Sequence, residues 1–223
     1  MSFKLLIITI FKFISGLLIV GMLLFIPAGT FVFFNAWLFI ETLFIPMFIA
    51  GIVMLFKNPE LLEKRLDAKE KLKEQTLIIK LCGLMFVAGF IIAGLDYRFG
   101  WSKLPMYFII IGTVIFLISY ILYAEVLKEN TYLSRTIKVE KNQKVVSSGL
   151  YGMVRHPMYT ATIFMFLSMP IILGSFYSFL IFLFYPVLII KRIISEENVL
   201  EKELDGYSEY KEKVKYRLIP YIW

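Results

Sequence analysis

One cysteine, Cys82, and one histidine, His156, are all that 223 residues supply of the side chains most often used for redox and metal chemistry. A lone cysteine excludes a disulfide framework, and inside a long apolar run it gives no ligand cluster for a metal. No G-x-G-x-x-G loop follows a strand-like segment, which leaves a soluble dinucleotide-binding fold without support. Internal repeats and low-complexity linkers are missing too, so the chain reads as one unit. Acidic residues are outnumbered, 17 against 24 lysines and arginines, for a net charge of +7.

Apolar side chains fill the space. Hydrophobic residues make up 59% of the chain, phenylalanine occurs 22 times and the mean hydropathy is +0.77. A soluble domain is about half apolar. Since a bilayer core of about 30 Å takes about 20 apolar residues per helix, we read spans near 5–26, 31–55, 77–95 and 104–124, then two near 158–173 and 176–191. Only "LGS" (173–175) separates the last pair, which predicts a tight helical hairpin. Lys4 and "IPAGT" imitate the flanks of a signal peptide, but Lys12 interrupts the run and no small-x-small cleavage site is clear, so it reads as a first span. The expected fold is an all-α polytopic transmembrane bundle of about six spans with an amphipathic tail. It forms a single membrane domain over 1–223, with N-terminal spans in 1–127 and the site-bearing region in 128–223.

Charge assigns the sides. Segments 57–80, 128–155 and 191–223 share a side with the N-terminus and hold the basic residues, while the other side has only Arg98 and Lys103. The positive-inside rule puts both termini and the large polar segments in the cytosol, in a prokaryote beneath the cell membrane. A basic cytosolic face suits anionic membrane lipids. It is no sign of a nucleic acid, and no obligate protein partner is implied. Within "KNPELLEKRL", Asn58 is a candidate N-cap and Pro59 suits a first helical turn. Leu61, Leu62, Leu66 and Leu72 give that segment a weak apolar face, either of a membrane-surface helix or of a solvated connector. In the tail, Leu200, Leu204, Tyr207, Tyr210 and Val214 recur at helical spacing, interrupted by "DGY" (205–207), and would cover the cytosolic mouth of the bundle. Glu41, deep in the second span, is expected to face the bundle interior or to be protonated, with Asn35 as a candidate partner.

The histidine lies in "GLYGMVRHPMYTA", residues 149–161. Pro157 fits the first position of a helix, which places His156 at a helix N-terminus, where open N–H groups and the helix dipole favour an anion. Arg155 adds a fixed charge. Both residues also suit simple anchoring at the headgroups. Tyr151 and Tyr159 offer rings for a base or a cation, or belong to an interfacial belt. A second cluster lies in "LIIKRIISEENVLEKEL", 188–204, where Arg192 and Glu196 share a helix face, with Glu197 beside them. An i,i+4 ion pair is the plain explanation. The hairpin, however, brings both clusters to the same membrane level.

"GLYGMVRHPMY", followed after two helices by "SEENVLEKELDGYSEYKEKVKYRLIPYIW", resembles the integral-membrane isoprenylcysteine carboxyl methyltransferases and their phospholipid methyltransferase relatives. The resemblance is strongest over 140–223. It implies S-adenosylmethionine as methyl donor, in a pocket made by the last two helices and the tail. By position, Tyr151, His156, Pro157, Met158, Tyr159 and Glu196 match cofactor-binding residues of that family, as does the Gln143, Lys144, Val145, Val146 stretch. Arg192 matches a substrate-associated position. A glutamine used by eukaryotic members has no counterpart near Thr136–Glu140. The implied acceptor is lipid-like or prenylated. A carboxylate acceptor, pKa about 3.3–3.7, is already ionised and suits Arg192. An amine must first lose a proton, which would fall to His156 or Glu197. Two rivals stand. "RHPMY" and "VKYRLIPYIW" also resemble NADPH-using sterol reductases, which are considerably longer, and a non-catalytic membrane binding protein would carry the same spans.

Overall fold

A computed structural model of the chain describes residues 3–67, 73–134, 136–137, 139–140 and 142–223. Its helices are α1 Phe3–Ala28, α2 Phe34–Lys57, α3 Pro59–Leu66, α4 Lys73–Phe99, α5 Met106–Glu129, α6 Pro157–Ile172, α7 Phe176–Phe182, α8 Phe184–Glu203 and α9 Tyr207–Lys213. No strand occurs among the described residues. Lipid is the solvent the surface calls for. Phe11, Ile26, Phe56, Ile121 and Phe184 all point outward, as bilayer-facing side chains must.

Five stretches are long and apolar enough to cross a membrane: Lys4–Ala28, Phe34–Lys57, Gln75–Phe99, Met106–Glu129 and Phe176–Glu203. The sixth expected span, α6, is a shorter apolar helix, Pro157–Ile172. The last span is not one uninterrupted helix, because α7 ends at Phe182 and α8 starts at Phe184. Pro186 explains the break, since it has no N–H to give to the preceding turn. Beyond the apolar run, α8 continues to Glu203, so Arg192, Glu196 and Glu197 sit well inside a helix.

With lipid outside, helices gain little by hiding apolar surface and are held by close fit and internal hydrogen bonds. Glycine allows the closest approaches. A Cβ on Gly112 of α5 would lie 2.9 Å from Ile171 of α6, and one on Gly89 of α4 would lie 2.3 Å from the ring of Phe182. Phe182 is fully buried and packs edge-on against Phe86. Gly89→Ala is therefore expected to cost about 1–3 kcal/mol by overpacking, visible as a lower melting temperature in detergent.

At the end where α6 turns into α7, Asp96 ties three segments together. Its carboxylate accepts from the Ser102 amide at 2.6 Å, the Ser102 hydroxyl at 2.7 Å and the Ser175 hydroxyl at 2.5 Å. Ser175 also caps α7 by accepting from the Ser178 amide. The predicted hairpin turn is thus pinned to α4 by a buried acid.

Two expectations about single residues resolve differently. Asn58 caps α3 as expected, accepting from the Leu61 amide at 3.1 Å, and Leu61 and Leu62 are buried rather than spread on a membrane surface. Leu72 lies outside the described residues. Glu41, by contrast, does not face the interior: it is exposed, in line with Trp37 and Ile45 on the outer side of α2. Helix phase decides this, because Ala36, Phe39, Ile40 and Phe44 take the inner face. Lys12 reaches from α1 to the Leu66 carbonyl at the end of α3.

Candidate active site

The motif region begins after α5, where the described residues of 130–148 run as irregular chain into a 3₁₀ turn, Gly149–Gly152. Glu129 anchors that turn by accepting from the Leu150 amide. His156 is the N-cap of α6 and Pro157 its first residue, as the sequence suggests. The amides of Arg155 and His156 donate to the carbonyls of Tyr216 and Arg217, each at 2.9 Å. The tail beyond α9 is therefore laid against the motif strand-like, one backbone bond per residue.

Side chains close this junction around a single acid. Arg155 Nε donates to Glu197 Oε1 at 2.7 Å, His156 Nε2–H to the same oxygen at 3.1 Å, and Arg217 Nε to Oε2 at 2.9 Å. Arg155 Nη1 donates further to the carbonyls of Val214 and Lys215 at 2.7 and 2.8 Å. Arg217 also lies over the Trp223 ring, 4.9 Å from its centroid. Because Arg155 and His156 are 5% exposed and Glu197 3%, headgroup anchoring is excluded for this pair. The anion that Arg155 and His156 meet is Glu197.

A second polar chain runs beside the hub. Tyr159 donates to Glu196 Oε2 at 2.5 Å and accepts from Arg192 Nε at 2.9 Å. Arg192 Nη1 donates to Gln75 Oε1 at 3.0 Å. The i,i+4 pair Arg192 and Glu196 is therefore joined through the Tyr159 hydroxyl, which no spacing rule on one helix would disclose.

Above these groups opens a cleft with about 830 Å³ of non-protein space, part of it open to solvent. Gln143, Lys144, Val145, Val146, Tyr151, His156, Met158, Tyr159, Arg192 and Glu196 all line it. Pro157 is buried behind the lining as the first residue of α6. Glu197 lies beneath, in the hub.

The tail supplies the roof. Leu204, Tyr207, Tyr210 and Val214 form a small core with Val139, Val145 and Leu200, and Gly206, at φ +81°, makes the break expected at "DGY". Tyr210 donates to the Tyr151 carbonyl at 2.7 Å, and Asn130 donates to the Tyr151 hydroxyl at 3.1 Å. Burial raises the pKa of Tyr207, helped by the charges of Glu197 and Glu196, and burial likewise raises that of Tyr151. Both stay phenols at any physiological pH. Tyr207 matters most here: the residue lines the cleft, and its hydroxyl is buried with no hydrogen-bond partner among the described residues. The sequence marks Tyr207 only as part of an amphipathic stripe, and marks Asn130 and Gln75 not at all.

These features define a multi-pass membrane protein whose last helices and tail enclose a small-molecule cleft. The phospholipid methyltransferase family model matches residues 106–205, from α5 through α8. Over its full length the chain has the fold of the eukaryotic intramembrane Ras methyltransferase ICMT (isoprenylcysteine carboxyl methyltransferase), with a TM-score of 0.53 and 17% identity, covering 100% of this chain and 88% of that one. Residues 106–205 are thus similar in sequence to phospholipid methyltransferases, and the whole chain is similar in fold to ICMT. It is also 33% identical over 91 residues to the Delta(14)-sterol reductase TM7SF2 of Mus musculus, a match covering 40% of this chain. That match takes in only 22% of the reductase's length.

Proposed function

We propose that this protein moves a methyl group from S-adenosylmethionine to a lipid-like acceptor held in the membrane. The observation that carries the reading is the cleft itself, where ten motif residues converge and which Tyr207 also lines. The donor set suits this cofactor. Glu196 is an anion for its cationic parts, Tyr151 and Tyr210 present rings to a purine, and the Tyr207 hydroxyl is a free polar handle.

When bound, the cofactor supplies a methyl on a sulfonium that departs as a neutral thioether once an acceptor lone pair takes the methyl. The protein's part is to position and desolvate. Arg192, between the cleft and α4, is placed to orient the acceptor, with an isoprenylcysteine-type carboxylate the best match to its charge. Glu197, engaged by three donors, holds Arg155 and His156 in place, and we assign it to positioning. Basic residues gathered at the cleft end support a cytosolic opening, with the acceptor arriving from the bilayer.

Calorimetric titration of detergent-purified protein tests the reading. Saturable binding of S-adenosylmethionine is expected, with none of NADPH. His156→Ala should weaken binding, and Tyr207→Phe, which removes only the free hydroxyl, should weaken it about 2- to 10-fold. Binding of NADPH alone would replace this proposal with the reductase.

A further inference from the structure

Gln75 lies in the first turn of α4, where a span begins, and is fully buried. Its Oε1 accepts from Arg192 Nη1 at 3.0 Å. Its Nε2 is buried and has no hydrogen-bond partner among the described residues. A buried amide donor without an acceptor is destabilising, and in a lipid environment no water compensates. The two halves of this amide thus differ sharply. One holds the guanidinium, and the other offers N–H groups beside it.

Gln75 adjoins the cleft through Arg192, which lines it. Arg192 donates on one side to Tyr159, a lining residue bonded to Glu196, and on the other to Gln75. An acceptor head held at Arg192 of α8 would therefore lie beside Gln75 of α4.

We infer that Gln75 is a recognition and positioning residue for the acceptor: Oε1 fixes Arg192, and Nε2–H donates to an oxygen of an anionic acceptor group that Arg192 holds. This rests on the proposed methyl transfer, whose acceptor it makes anionic. Gln75 stands apart from the cofactor lining.

The experiment uses the full-length protein saturated with S-adenosylhomocysteine, the demethylated cofactor, so that nothing turns over. The probe is N-acetyl-S-farnesylcysteine, a small isoprenoid thioether acid, against its neutral methyl ester. Wild-type protein is expected to bind the acid saturably and better than the ester. Gln75→Met, which removes both halves of the amide, should weaken the acid several-fold. Gln75→Glu keeps an acceptor for Arg192 but sets a negative charge against the ligand, and should weaken the acid about tenfold or more. Toward the ester the order reverses, with Gln75→Glu the better binder. Affinity for S-adenosylhomocysteine should be unchanged in both variants.

A purely structural Gln75 gives a different order, because Gln75→Glu would then bind the acid better than Gln75→Met. That order would overturn the inference, as would wild-type protein that binds S-adenosylhomocysteine but not the acid. Failure to bind S-adenosylhomocysteine at all would instead strike the methyltransferase reading.

Discussion

Glu197→Ala is expected to lower stability by about 3–5 kcal/mol and to abolish cofactor binding, because it strips the acid from a buried cluster and leaves its cations unpaired. Three donors from separate parts of the chain meet this carboxylate: Arg155, His156 and Arg217. Arg155 would remain bonded to two carbonyls yet lose its counter-charge at 5% exposure. Glu197→Gln should fall between, since an amide oxygen still accepts but carries no charge. Thermal unfolding in detergent, followed by titration with S-adenosylmethionine, measures both effects. A double-mutant cycle with Arg155→Met isolates their coupling. Additive losses would show that the two residues do not act as one unit.

Arg192→Ala is expected to lower methyl transfer about 100-fold or more, the scale of a misplaced reactant, while the protein still binds S-adenosylmethionine through Glu196 and the tyrosines. Arg192→Lys should recover little. A lysine carries the charge but not the planar fork that reaches Tyr159 on one side and Gln75 on the other. Transfer of labelled methyl groups, set beside cofactor affinity, separates the two contributions. Retained transfer in Arg192→Ala would remove Arg192 from the acceptor site. Loss of cofactor affinity with it would place Arg192 with the cofactor instead.

The parts of this molecule that repeat with helical period were legible from residues alone. Apolar runs marked the spans, Pro157 the start of α6, and Leu204, Tyr207, Tyr210 and Val214 the inner face of the tail. Period and composition are silent on pairs made across the bundle. Arg155 and Glu197 stand 42 residues apart, and Arg192 and Gln75 stand 117 apart, with no pattern linking them. Gln75 follows the charged "KEKLKE" and so looks like the end of a connector, although it is already inside the protein. Glu41 was misread for the converse reason: a carboxylate in a span suggests an interior role, while the phase of α2 turns it outward. The interruption before Pro186 was overlooked because apolar residues lie on both sides of it.

The Glu197 junction also bears on how the protein is made. Among the described residues, the helices long and apolar enough to cross a membrane end by Glu203, yet the carbonyls that receive Arg155 and its neighbour belong to residues 214–217. A chain truncated between those points would keep every one of these spans and still lack a roofed cleft. Integration and ligand competence are therefore separate events in biosynthesis. C-terminal truncations of graded length would show the second arriving abruptly as residues 214–217 are included.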